Sequence, residues 1–228
     1  MPHTLLVGRS GSGKTLMVRA LLGISARSIV GDPLFEYDEN DGADPARSYV
    51  VYDLESAVET FLRVRREPFT LIFRHREPAE YLALLEVAEH SQRTEPLGPL
   101  VIATEEASRY SETHEIPDVL RKLYNAGRHY RISLLTVIQV DTDIHRVTRR
   151  NSQVIVSFAQ NGQSADMRKY FRWDEIEALT PMDAPGEFQR YGEPVQGRHF
   201  AVYPPMHGDF YEWWQEQHGH IFTEGGEE

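Results

Sequence analysis

The sequence predicts an α/β fold in which a mainly parallel sheet carries helices on both faces. Three observations carry this. Strand-like apolar runs alternate with helix-patterned segments from end to end, the order of repeated βαβ units. A G-x-x-x-x-G-K-[ST] segment follows the first apolar run and opens the first helical pattern. Two later apolar runs end in polar side chains, Glu105-Glu106 and Gln139, as strands that face a ligand do.

The elements follow in order. His3–Val7 is the first strand and Lys14 to Leu22 the first helix, with Gly-rich chain between them. Ser28–Val30 is a short strand, followed by an acidic loop from Asp32 to Pro45. Tyr49–Asp53 reads as a strand, Glu55–Arg66 as a helix and Phe69–Phe73 as a strand. Pro78–Ser91 is helical, with Tyr81, Leu84, Leu85 and Ala88 on one stripe. Leu100–Thr104 is a buried strand. Pro117, with its φ already fixed, starts a helix that runs to Ala126. Ile132–Val140 is the longest apolar strand, Asp141–Arg150 a short helix and Val154–Phe158 another strand. Ser164–Phe171 and Asp174–Leu179 look helical. Glu187–Tyr191 and His199–Tyr203 suggest a terminal hairpin, followed by a tail bearing Trp213 and Trp214.

At 228 residues, one large domain is expected. We divide it into a core, 1–180, and a C-terminal hairpin with an aromatic, acidic tail, 181–228, packed on that core. Cysteine is absent, which excludes disulfides, thiolate catalysis and Cys-ligated zinc. No window approaches the ~20 apolar residues of a membrane span. The net charge of −11 has the wrong sign for a simple nucleic-acid binder. Charge is unevenly placed, however. Val119 to Arg150 carries a local excess of positive charge, whereas Asp32–Asp44 and His207–Glu228 hold acids and no Lys or Arg. His207, His218 and His220 have poor spacing for a metal.

The segment Gly8-Arg9-Ser10-Gly11-Ser12-Gly13-Lys14-Thr15 carries the strongest chemistry. Its glycines let backbone N–H groups converge on phosphate oxygens, and the helix N-terminus adds a positive dipole end. Lys14 would reach the β- and γ-phosphates of ATP, and Thr15 would ligate Mg²⁺. The strand tip Glu105-Glu106 assigns Glu105 to magnesium, directly or through a water, and Glu106 to a general base or water-positioning role. Gln139, at the next polar tip, can bond the γ-phosphate or the attacking water. Among the arginines, Arg128 and then Arg146 are the candidates to stabilise the transition state of a neighbouring subunit.

In combination, the Gly8–Thr15 loop, the Glu105-Glu106 pair, the Gly127-Arg128-His129-Tyr130 segment before a strand, and Gln139 followed by Ile144-His145-Arg146 resemble the FtsK–HerA superfamily of P-loop ATPases. The resemblance covers about Thr4 to Phe158. It implies a RecA-like (ASCE) sheet of order 5-1-4-3-2, ATP bound between subunits, and a homo-oligomeric ring, commonly a hexamer. The compact length looks like the genome-packaging ATPases of tailless viruses with an internal membrane. There the motor drives double-stranded DNA, without reading its sequence, into a preformed capsid. Such a protein would work in the host cytoplasm and at the virion vertex, against capsid vertex proteins. Glu105 departs from the family, which places Asp at that position. Three other readings remain open from residues alone: an ATPase of phage assembly or secretion that moves protein, a P-loop small-molecule kinase, and a nucleotide-dependent docking module without turnover.

Overall fold

A computed structural model describes residues 2–111, 114–139, 145–158 and 200–203. The strands are β1 (Thr4–Val7), β2 (Arg27–Gly31), β3 (Ser48–Val51), β4 (Phe69–Phe73), β5 (Leu100–Thr104), β6 (Ile132–Ile138), β7 (Val154–Phe158) and β8 (Phe200–Tyr203). They form one sheet of order β3-β4-β2-β5-β6-β1-β7-β8. Every neighbouring pair is parallel except β7 with β8. The five strands β7-β1-β6-β5-β2 reproduce the anticipated 5-1-4-3-2 order, and β4 and β3 extend the sheet beyond it.

The helices are α1 (Lys14–Gly23), α2 (Leu54–Val64), α3 (Pro78–Thr94), α4 (Asp118–Ala126) and α5 (Arg146–Asn151). Side chains of a strand alternate between its faces, so a parallel sheet buried on both sides makes two cores. Ile29, Leu71, Phe73, Ile102 and Leu134 pack with residues of α2, α3 and α4. Their chain neighbours Val30, Ile72, Val101, Ala103 and Leu135 pack on the other face with Met17, Val18 and Leu22 of α1. The Asp53 carboxylate caps α2 by accepting from Ser56 N at 2.8 Å. Pro117 stands one residue outside α4, as its N-cap rather than its first residue.

Several boundaries differ from the sequence reading. β6 stops at Ile138 and not at Val140, because Gln139 already turns out to solvent. The short helix begins only at Arg146, its first backbone groups capped by the His145 ring, whose Nδ1 accepts from Val147 N at 3.1 Å. The strand expected at His199–Tyr203 is present as β8, and it hydrogen-bonds antiparallel to β7. Its expected hairpin partner, Glu187–Tyr191, lies outside the described residues, as do the helices read at 164–171 and 174–179 and the aromatic tail.

One close approach fixes a glycine. Gly31 ends β2, and a Cβ there would lie 2.6 Å from Cζ of the buried Tyr81 ring. Gly31→Ala is therefore expected to destabilise the fold by about 1–3 kcal/mol, the usual range for overpacking. Chemical denaturation of the variant checks this.

Candidate nucleotide site

In a parallel sheet all strands present their C-terminal ends to the same edge, so residues following β1, β2, β5 and β6 meet there. Val7 lies beside Ile138 in the register of β1 and β6, and Gly8 N donates to Ile138 O at 3.2 Å. Gly31 pairs with Thr104 across β2 and β5. The Gly8–Thr15 loop, Glu105, Glu106 and Gln139 are thereby brought together, as the sequence anticipated.

The loop has the form its glycines require. Gly11 and Gly13 take φ of 73° and 100°, the left-handed region that disfavours a side chain. Lys14 is buried, and its Nζ donates to Gly8 O at 2.7 Å and Arg9 O at 2.8 Å. Burial lowers its pKa, while Glu105, Glu106 and Glu36 raise it. The Ser12 hydroxyl is buried with no hydrogen-bond partner among the described residues.

Glu105 is almost wholly buried at the tip of β5. The fully buried Tyr37 donates its hydroxyl to Glu105 Oε1. Burial raises the Glu105 pKa to about 7, against the opposing pull of the Tyr37 hydroxyl and Lys14. Glu106 follows with φ 48° and ψ 51°, left-handed geometry that is costly for a residue with a Cβ. Gln139 Nε2 donates to Glu106 Oε1 at 2.7 Å, which fixes that carboxylate oxygen.

The acidic stretch after β2 is built into the site, which composition alone did not reveal. The buried Asp32 accepts from Glu36 N at 2.9 Å and Tyr37 N at 3.1 Å. Arg74, just after β4, pairs with Asp32 at 3.5 Å and donates to Tyr37 O. Glu36 thereby faces the loop, and Thr15 Oγ1 donates to its Oε2 at 3.3 Å. Asp38 and Asp41 cap the following 3₁₀ turn, Glu39–Asp41. No signal within this stretch marked Glu36 or Tyr37. Their proximity to the site follows from the pairing of β2 with β5, and only a sheet order could have exposed it.

The arginines lie elsewhere. Arg128 is exposed in the 3₁₀ turn Gly127–Tyr130 before β6, and its charge bears on His3 at the start of β1. This is the opposite edge of the sheet from the loop, about 20 Å away at the strand rise over β6. Arg128 thus cannot serve its own subunit's site. Arg146 is exposed at the start of α5. Beside it the His145 pKa is lowered, first by desolvation and then by Arg146, Arg121, His114 and Arg149, so α4 and α5 share a basic surface.

The donors suit a magnesium nucleotide. Thr15, Glu105 and Glu36 offer hard oxygen atoms, which Mg²⁺ prefers, and the orphaned Ser12 hydroxyl lies in the loop that would cradle phosphate. Among the described residues, no group of three or more His, Cys, Asp or Glu side chains forms a metal centre by itself. A cation shared with phosphate oxygens and water is consistent with that.

Comparison with known proteins agrees at the level of fold. No protein-family model and no curated protein matches the chain. Among solved structures, it is similar to the genome-packaging NTPase B204 of Sulfolobus turreted icosahedral virus 2 in complex with AMPPCP, at 17% identity and TM-score 0.58, over 79% of this chain and 88% of that one. The DNA-packaging ATPase B204 of Sulfolobus turreted icosahedral virus matches at 15% identity and TM-score 0.59, over 90% and 98%. VirB4 of Thermoanaerobacter pseudethanolicus matches at 14% identity and TM-score 0.53, over 87% and 86%. The chain shares the fold of these structures, a mainly parallel α/β sheet with flanking helices, as the sequence led us to expect.

Burial of Glu105 has a measurable consequence. The folded state keeps this carboxyl protonated up to about pH 7, whereas the unfolded chain releases the proton near the ordinary 4.5. The native state binds more protons between these values, so its stability falls as pH rises from about 4.5 to 7 and then levels. Glu105→Gln keeps an oxygen to accept from Tyr37 and removes the titration. The variant is expected to be more stable than the parent above pH 7 by on the order of 3 kcal/mol. The gain should vanish towards pH 4.5, as thermal melts across pH would register.

Proposed function

We propose that this protein is a Mg²⁺-dependent ATPase that moves double-stranded DNA, in the manner of a viral genome-packaging motor. The observation that carries the ATPase reading is the convergence of the Gly8–Thr15 loop with Glu105, Glu106 and Gln139 at one sheet edge. The backbone N–H groups of the loop and the α1 N-terminus hold the phosphates, and Lys14 exchanges its two carbonyl partners for β- and γ-phosphate oxygens. Thr15 and Glu105, with Glu36 at hand, would hold Mg²⁺, which neutralises charge developing on the phosphates. Glu106 orients a water and takes its proton, with its carboxylate steadied by Gln139. Because Glu36 and Glu106 act on the same lysine, with Glu105 joining them once it ionises near pH 7, free ATP would be repelled, so nucleotide binding should require the cation.

The DNA-moving reading is supported by the fold shared with B204 and by the basic α4–α5 surface of Arg121, Arg146 and Arg149. Such a surface grips phosphates without reading sequence. An arginine that cannot reach its own site fits a homo-oligomeric ring, a hexamer by resemblance, in which Arg128 serves the next subunit. Residues 181–228 would pack on the core, consistent with β8 extending its sheet. The chain would act in the host cytoplasm and at the virion vertex, docked on capsid vertex proteins. ATP-dependent displacement of a third strand from a triplex on linear duplex DNA tests the motor. Displacement that stops without ATP is expected. Hydrolysis with no displacement, on DNA that the protein binds, would overturn the DNA-moving part.

A further inference from the structure

We propose that His75, Tyr81 and Tyr110 form a buried clasp that holds the Glu105-Glu106 turn in its working geometry, and that they are positioning residues for the ATPase reaction. The proposal rests on the ATPase reading above for its effect on turnover, but the clasp itself stands on geometry alone.

Glu106 sits in left-handed backbone with no glycine to permit it. Such a conformation persists only where its surroundings over-determine it. Two tyrosines grip the chain on either side of it. Before the turn, Tyr81 Oη of α3 donates to Ala103 O at 3.0 Å and lies 3.1 Å from Thr104 Oγ1, the last two residues of β5. After the turn, Arg109 N donates to Glu106 O at 2.9 Å, Tyr110 N donates to Ala107 O at 3.1 Å, and the Tyr110 ring turns inward.

His75 joins the two grips. It follows β4, which brings it beneath the turn. Its Nδ1 lies 3.1 Å from Phe73 O. A carbonyl can only accept, so Nδ1 carries the proton and Nε2 is left to accept. Tyr110 Oη is 2.5 Å from Nε2 and donates to it. The imidazole stacks on Tyr81 with centroids 5.1 Å apart and planes at 12°, and Tyr81 meets Tyr110 at 5.2 Å. All three rings are buried, at 1%, 0% and 4% exposure for His75, Tyr81 and Tyr110. Burial lowers the His75 pKa, which favours the neutral ring this arrangement needs.

The clasp thus fixes both flanks of Glu106, while Gln139 fixes its carboxylate. Tyr110→Phe removes a single hydroxyl and keeps the ring packing. The variant is expected to lose about tenfold or more in kcat with little change in KM for ATP, since small displacements of a catalytic group carry such penalties. Amide hydrogen exchange over residues 103–111 should rise by about tenfold, with other peptides unchanged. His75→Gln, which can still accept from Tyr110, should retain more activity than His75→Leu. Tyr124→Phe is the control. It loses a comparable buried contact, that of Tyr124 Oη with Thr136 Oγ1 at 2.5 Å, but should alter neither kcat nor exchange over 103–111.

Wild-type kcat together with wild-type exchange in Tyr110→Phe would overturn the proposal, as would exchange raised evenly over the whole chain. A parent protein without ATPase activity would count against the function proposed above. The exchange measurement would still decide the clasp.

Discussion

Glu106→Gln is expected to bind Mg·ATP about as tightly as the parent and to hydrolyse it at least about 100-fold more slowly, the usual contribution of a positioned general base. Several features combine here. Glu106 stands at a strand tip beside the Gly8–Thr15 loop, and one carboxylate oxygen is engaged by Gln139 at 2.7 Å. The second oxygen would engage the attacking water. The amide keeps the shape and can still accept from Gln139, but it cannot take a proton. Nucleotide affinity should barely change, because Lys14, Thr15 and the loop backbone are untouched. Equilibrium binding and single-turnover hydrolysis, measured on one preparation, separate these effects. A variant that turns over ATP like the parent would remove Glu106 from the chemistry.

Lys14→Ala has an effect of similar size by a different route. Loss of this cation should weaken Mg·ATP binding about tenfold or more, the scale of a hydrogen bond to a charged group. Turnover should fall by about 100-fold or more, since charge accumulates on the phosphoryl oxygens that Lys14 would contact. Stability should not fall in parallel. Burial already disfavours the Lys14 charge, and alanine removes that cost together with the bonds to Gly8 O and Arg9 O. A melting temperature equal to or above that of the parent, with activity lost, would set this variant apart from a misfolded one.

These expectations concern the parts of the site that were legible in the sequence. The loop motif is contiguous, and its chemistry dictates its own backbone. Glu105, Glu106 and Gln139 were legible because each ends an apolar run, and parallel strands deliver their ends to one edge. The core strand order was implied by family resemblance rather than by periodicity. The outlying β3 and β4 had no such guide.

What escaped was decided by pairing between distant segments. The stretch from Asp32 to Asp44 reads as a solvated acidic loop, yet Asp32 and Tyr37 are fully buried within it. The reason is geometric: β2 lies beside β5, so the chain leaving Gly31 must pass the Glu105 carboxyl. Arg74 then compensates Asp32 from β4, two strands from β5. His75 and Tyr110 are likewise joined only by the tertiary fold. Arg128 was recognised as a phosphate-binding type, but residue type gave no indication of which sheet edge would carry it. The antiparallel pairing of β8 with β7 joins segments more than forty residues apart and has no local signature.

The central claim is that this sheet edge hydrolyses ATP and that duplex DNA engages the same molecule. Steady-state ATP turnover by the parent protein in Mg²⁺, with and without double-stranded DNA and beside Glu106→Gln, tests it most directly. The account predicts turnover that rises with DNA, falls back as salt screens the phosphate contacts, and disappears in the variant. Turnover that ignores both DNA and the loss of Glu106 would contradict it.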